Sequence, residues 1–234
     1  MSAASVPPGP APRVSGLVLA AGGSSRMGTP KALLDAGGMT FVGRLVQTLA
    51  SAGCDPVVVV APANTGGVAD EAARAGARLA VNPDGAGGQI GSLRAGLACL
   101  TEGADPPAAV VFTPVDNPAV APATVEALIA TWRTAHAAIV LPRCGSHRGH
   151  PVLADMRIAH EFHEAGLAEG ARTVVRRDPG RVVEVEVEDP GAVDDIDTPG
   201  RYRRRFRREP LSGPTPPAPS SRPRPRTEPP RASA

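Results

Sequence analysis

The chain has 234 residues, 42% of them hydrophobic but only 3% aromatic, with a formal net charge of +2. That length suits one α/β domain with a core of Val, Leu, Ile and Ala, and no apolar run approaches the ~18 residues of a membrane span. The charge is divided: residues 201–234 hold ten Arg and two Glu, leaving 15 basic against 21 acidic residues before them, a mildly acidic body that offers no nucleic-acid surface.

Residues 1–13 (MSAASVPPGPAPR) are rich in Pro, Ser and Ala and are expected to be disordered. They carry no apolar stretch behind a basic start, so a secretory signal is not supported and a cytoplasmic protein is expected. Residues 14–208 read as the folded domain. Residues 14–21 (VSGLVLAA) form an apolar run ending in Gly22-Gly23, a buried strand feeding a loop. Residues 40–52 place Phe41, Leu45, Val46 and Leu49 on one helical face, with Gly53 as a stop. Residues 56–61 (PVVVVA) predict a second strand, 70–76 a short helix, 78–81 a third strand, 90–100 a helix and 108–113 (AAVVFT) a fourth strand. Residues 122–135 predict a helix with Pro at its first turn, and 137–141 a fifth strand. Alternating strands and helices predict an α/β, three-layer, mostly parallel sheet, which binds ligands beyond the carboxyl ends of its strands.

After Pro142 the alternation breaks. Residues 149–153 read as a strand entry and 168–177 as a helix. Residues 181–188 (RVVEVEVE) alternate strictly, as a half-exposed strand does. Thr198 caps a last helix over 198–206, with Pro199 at its first position. The Pro/Arg-rich residues 209–234 read as a disordered tail, against the alternative that its arginines bind nucleic acid or an acidic partner. Cys54, Cys99 and Cys144 are odd in number and widely spaced, so each reads as a buried small hydrophobe rather than a disulfide or zinc ligand.

Five loops carry chemistry. The first, residues 19–31 (LAAGGSSRMGTPK), puts a glycine pair directly after a buried strand, where backbone N–H groups can approach an anion, and adds the cations Arg26 and Lys31. It is not a P-loop, because Gly23 and Gly28 have the spacing but Thr29 stands where Lys belongs, and the GxGxxG dinucleotide fingerprint is absent. The second, residues 82–93 (NPDGAGGQIGSL), lets a planar base lie against glycine backbone, or is simply a Gly-rich turn before a helix. The third (TPVDNP) sets Asp116 at the end of the fourth strand, where a carboxylate points into the ligand crevice and can hold Mg²⁺ together with phosphate oxygens. The fourth, residues 193–199 (VDDIDTP), puts Asp195 and Asp197 on one face if it is extended, with Asp194 exposed; a capped helix start is the rival reading. In the fifth (RGHPV), His147 and His150 are too isolated for a metal site. His136, His160 and His163 read as ordinary helix residues.

The first loop resembles the LAAGxSxRMGxxK opening of the MobA-like NTP transferases, and its LAAG form is most similar to the molybdenum cofactor cytidylyltransferase branch. The resemblance spans about residues 14–205 and implies a GT-A-like (Rossmann-like) nucleotidyltransferase fold. It also implies nucleotide binding by Leu19, Ala20, Ala21, Gly22, Gly23, Arg26 and Lys31, and by Asn82, Gly88, Ser92 and Leu93 of an NPxxxxGxxxSL-like segment. Asp116 matches the family's DxP motif, in which the Asp holds Mg²⁺ against the α-phosphate, and Asp197, with Asp195 second, matches the polar residue before Thr-Pro that approaches the metal. In relatives a GHP segment lines the acceptor pocket, which assigns His150 there. The implied reaction moves a nucleoside monophosphate from an NTP, CTP first and GTP next, onto the phosphate of a molybdopterin-type acceptor. Pyrophosphate leaves, with Arg26, Lys31 and Asp116 as the catalytic groups and a molybdoenzyme as an implied partner. Gly23-Ser24-Ser25 stands where cytidylyl members often carry other small or basic residues, which leaves base preference open. Guanylyl transfer, another acceptor such as a sugar phosphate or phospholactate, and a non-catalytic nucleotide-sensing or cofactor-chaperone module are the competing readings; neither nucleic acid nor membrane is expected as a partner.

Overall fold

The computed structural model describes residues 11–22, 30–64, 66–83, 87–102 and 105–207. The expected N-terminal and C-terminal disordered segments fall almost wholly outside these residues.

The aliphatic runs become eight strands: β1 (Val14–Leu19), β2 (Val57–Pro62), β3 (Arg78–Asn82), β4 (Ala109–Pro114), β5 (Ile139–Cys144), β6 (His147–Arg148), β7 (Val152–Asp155) and β8 (Val182–Glu186). They make one sheet in the order β3-β2-β1-β4-β7-β5, with β8 on the far side of β5 and β6 paired to its outer half. β1 and β4 are buried throughout, as strands covered on both faces must be. β8 keeps its exposed Glu184 and Glu186 at the sheet edge, the strict alternation read from its sequence.

Six α-helices cover the sheet: α1 (Phe41–Ser51), α2 (Val68–Arg74), α3 (Gly88–Thr101), α4 (Pro122–Ala135), α5 (Ala171–Arg177) and α6 (Pro199–Phe206). One face packs Phe41, Leu45 and Leu49 of α1 with Leu128 and Trp132 of α4 and Tyr202 of α6. The other packs Leu93 and Leu97 of α3 with Val174 of α5 and Phe162. The result is the three-layer arrangement. No helix among the described residues is long and apolar enough to cross a membrane.

Capping follows the sequence. Thr40 Oγ1 accepts from Gly43 N at 3.0 Å to start α1, Pro122 opens α4, and Thr198 accepts from Arg201 N at 3.3 Å to start α6. Some expectations shift. α2 begins two residues early, and α5 starts only at Ala171 because Gly170 lies outside helical space (φ 60°, ψ −137°). Residues Met156–His163 wind as a 3₁₀ stretch that carries His160 and His163, and His136 is the left-handed cap of α4 (φ 50°) rather than a residue within it. Only Cys54 is buried, its thiol pushed up to about 12 by desolvation; Cys99 and Cys144 are half-buried, and all three are free.

The broken pattern after Pro142 has a topological cause. β7 runs antiparallel to both neighbours, pairing Phe112 with Val152 and Ala109 with Asp155. Its start therefore lies toward the carboxyl end of β4, and residues 148–151 emerge on the same rim as the loops after β1, β3, β4 and β8.

Candidate functional site

On that rim the chain brings Lys31 and Asp116 together. Lys31 opens a 3₁₀ turn (Lys31–Leu33) after the first loop, Asp116 lies two residues beyond β4, and Nζ stands 3.1 Å from Oδ2. Their side chains are 17% and 23% accessible, so the pair is half-buried yet reachable from solvent. The two loops are also joined through the backbone, Val115 N donating to Leu19 O at 3.1 Å. Arg26 and Gly23 lie outside the described residues; Leu19 and Ala20 are buried, Ala21 is half-buried and Gly22 exposed.

The fourth loop closes on Asp116. Ile196 N donates to Asp116 O at 2.7 Å, and Ile196 is fully buried, which turns Asp195 and Asp197 toward the surface together. The loop is irregular rather than a strand, but the two carboxylates do share a face: Arg201 forms an ion pair with Asp195 and lies 3.8 Å from Asp197 Oδ1. Asp194 is half-buried rather than exposed. Tyr202 Oη donates to Asp35 O at 2.7 Å, fastening α6 to the segment that follows Lys31.

Close backbone approach holds this cluster. A Cβ on Gly191 would overlap the carbonyl of Ala119, and one on Gly149 the carbonyl of Ala192, so both positions require glycine. His150 N donates to Ala192 O at 2.8 Å, which links the fifth loop to the fourth. Desolvation by burial pulls the His150 imidazole below its ordinary value, Arg172 adds to that, and Asp116 and Asp195 oppose it, so the ring is neutral at pH 7. Its Nδ1 is buried without a hydrogen-bond partner.

A cavity of about 680 Å³ runs from the second loop to α5, lined among others by Leu19, Gly87, Gln89, Leu93, Pro114 and His150. Gly87 (φ 80°) and Gly88 (φ 58°) both adopt backbone that L side chains avoid, and that turn brings the start of α3 to the cavity. Asn82 and Ser92 take a different position. Both are buried and bonded to each other (Asn82 Nδ2 to Ser92 Oγ, 3.3 Å), with Ser92 Oγ donating to Gly88 O at 3.3 Å, so they brace the loop from beneath.

Two lining residues went unseen in the sequence. Gln89 follows Gly88 on the exposed first turn of α3, and its place directly after the glycines was the available signal. Arg172 lines the α5 end, and nothing in the local pattern marks which way α5 faces. Among the described residues no group of three or more His, Cys, Asp or Glu could hold a metal by itself. The donor chemistry still fits a hard divalent cation, because Asp116 offers a carboxylate whose present counter-ion is the Lys31 ammonium, and such ions accept one or two carboxylates when phosphate and water complete the shell.

Comparison with known proteins agrees with this geometry. The family model of the MobA-like NTP transferase domain matches residues 16–182. The chain is similar to the nicotine blue oxidoreductase of Paenarthrobacter nicotinovorans, 34% identical over 196 residues covering 80% of this chain and 93% of that one. Among solved structures it is similar to Rv0371c of Mycobacterium tuberculosis H37Rv (29% identity, TM-score 0.71, 85% and 100% of the two chains). A manganese complex of Rv0371c matches with 27% identity, a TM-score of 0.66, and coverage of 83% and 98%. The molybdopterin-guanine dinucleotide biosynthesis protein A of Archaeoglobus fulgidus, at 19% identity with a TM-score of 0.61 over 82% and 97% of the chains, shares the GT-A-like fold. With the sheet order, the rim loops and the domain match in agreement, the chain belongs to the MobA-like NTP transferase family.

Proposed function

We propose that the protein is a Mg²⁺-dependent nucleotidyltransferase that moves a nucleoside monophosphate, CMP from CTP before GMP from GTP, onto the phosphate of a molybdopterin-type acceptor and releases pyrophosphate. The observation that carries the reading is the Lys31–Asp116 pair, 3.1 Å apart at the carboxyl-end rim of the sheet and still open to solvent. A divalent ion beside Asp116 supplies Lewis-acid polarisation of the α-phosphate. Asp197 and then Asp195 are the further carboxylates available to it. Lys31, with Arg26, neutralises charge growing on the departing pyrophosphate. The backbone of residues 19–22 faces the phosphates, and Gly88 and Leu93, braced by Asn82 and Ser92, form the seat of the nucleobase. His150 meets the acceptor. No side-chain nucleophile is needed, because the acceptor oxygen attacks in line and positioning does most of the work. A cytoplasmic location and a molybdoenzyme partner go with this reading.

The test is a thermal-shift panel of CTP, GTP, ATP and UTP with Mg²⁺, followed by pyrophosphate release with molybdopterin. A nucleotide at a hundred times its Kd stabilises by about 2.7 kcal/mol, and CTP is expected to give the largest shift. If no nucleotide shifts the transition in the presence of the divalent ion, the reading falls.

A second reading, an oxidoreductase acting on nicotine blue or a related compound, is favoured by the 34% identity to nicotine blue oxidoreductase. Oxidation of NADH or NADPH by the pure protein in the presence of an aromatic acceptor dye, without any pyrophosphate release from NTPs, would establish it instead.

A further inference from the structure

Among the described residues, the α5 end of the cavity carries more positive than negative charge. Three arginines line it, and two are already matched within the protein. Arg148 donates to Glu184 Oε1 from Nε at 2.9 Å and from Nη2 at 2.5 Å, and Arg176 donates to Glu169 Oε2 at 2.6 Å. Arg172 is exposed and lines the same space, yet it has no hydrogen bond or ion pair with any described residue. Among the described residues, one lining guanidinium is therefore without an internal counter-charge. The same end is walled by Leu141, Val152, Leu167 and Val175, which suit a flat apolar body. His150 lines the same cavity as Arg172.

We infer that this end is the acceptor subsite and that Arg172 is the residue that binds the acceptor's phosphate, with the apolar wall packing against the face of the flat ring system attached to that phosphate. The inference rests on the nucleotidyl-transfer reading and extends it to substrate class. A guanidinium fits the role because it offers paired N–H donors to phosphate oxygens. A phosphate held there shares the cavity with Leu19 and Pro114, at the ends of the strands β1 and β4 whose loops carry Lys31 and Asp116. Among the described residues Arg172 has no partner to give up, whereas Arg148 and Arg176 do.

The test uses the full chain and isothermal titration with 4-methylumbelliferyl phosphate, the neutral 7-methoxy-4-methylcoumarin and inorganic phosphate. It compares wild type, Arg172→Gln, Arg172→Lys and the remote exposed control Arg133→Gln. Arg172→Gln is expected to weaken the aryl phosphate about tenfold, the loss typical of one charge-assisted contact near solvent, with Arg172→Lys in between. The neutral coumarin and Mg²⁺–NTP should bind all four proteins alike. Equal binding of the aryl phosphate by wild type and Arg172→Gln, or no binding by wild type, overturns the assignment. Inorganic phosphate binding as tightly as the aryl ester overturns the role of the apolar wall. Failure of the nucleotidyl-transfer reading shows separately, as wild type that binds no NTP with the divalent ion while the Arg172 dependence persists.

Discussion

Gly191→Ala tests how the site is held together without any knowledge of the acceptor. The new Cβ would fall on the carbonyl of Ala119 and within 2.9 Å of Val120 N, backbone against backbone with no flexible side chain to yield. Ordinary contact requires the loop to retreat by roughly 1 Å, enough to break well-placed hydrogen bonds. Four are exposed to that shift: Asp189 Oδ2 accepting from Ala121 N (2.8 Å) and from Thr124 Oγ1 (2.7 Å), His150 N to Ala192 O (2.8 Å), and Ile196 N to Asp116 O (2.7 Å). At about 1 kcal/mol each, with half or more lost, the variant should be destabilised by ~2–4 kcal/mol. For a domain of this size that lowers Tm by about 5–12 °C. Because Asp116 and His150 are both tied to the displaced loop, turnover should fall by ~10²-fold even at temperatures where the protein is folded. Thermal denaturation by circular dichroism and pyrophosphate release at 20 °C read the two effects. A Tm within ~1 °C of wild type would refute the claim that this contact clasps the fourth loop to the third.

Two other substitutions separate chemistry from stability. Lys31→Met should cost ~10²–10³ in rate, as loss of a charge-stabilising group does, while a pair this accessible contributes only about 0–1 kcal/mol to folding, so Tm should barely move. A large Tm loss, or wild-type pyrophosphate release, would contradict that division. Glu161 accepts from Arg181 Nη1 at 2.6 Å and Arg177 Nη1 at 2.9 Å, and the Arg181 hydrogen bond holds its carboxyl below the ordinary value despite the opposing effect of burial. A depressed folded-state value means the ionised group stabilises above the unfolded carboxylate range and loses that contribution as pH falls through the folded value. Glu161→Gln should therefore cost about 2 kcal/mol in urea unfolding at pH 7, with the gap to wild type closing below about pH 4.5; a gap independent of pH would refute the ionic account.

Most of the element order was legible because it rests on local physics. The apolar run PVVVVA cannot be anything but covered, Thr40 and Thr198 announce helix starts, and Pro122 fits the first turn of α4. What stayed hidden depends on long-range pairing. Nothing near Val152–Asp155 says that it inserts antiparallel between β4 and β5, and only that insertion explains why the alternation fails after Pro142. The site divided in the same way. Lys31 and Asp116, 85 positions apart, were named from their loops, and the sheet made them neighbours. Asn82 and Ser92 were named as ligand residues, and the structure adds a buried hydrogen bond between them that their loop sequence does not announce. Arg172 escaped notice because its importance comes from Glu184 and Glu169 having neutralised its companions, a fact of tertiary charge pairing.

The reversed strand β7 also acts as a gauge. Its four residues are all buried and paired with β4 on one side and β5 on the other, so its alignment is decided within the core and not by the site. Slipping it by a single residue would carry His150 about 3.3 Å along the strand and turn the side chain to the opposite face. Enzymologically silent-looking changes at Leu153 or Ala154 are thus the ones to watch: they touch no ligand, yet they set where the imidazole arrives.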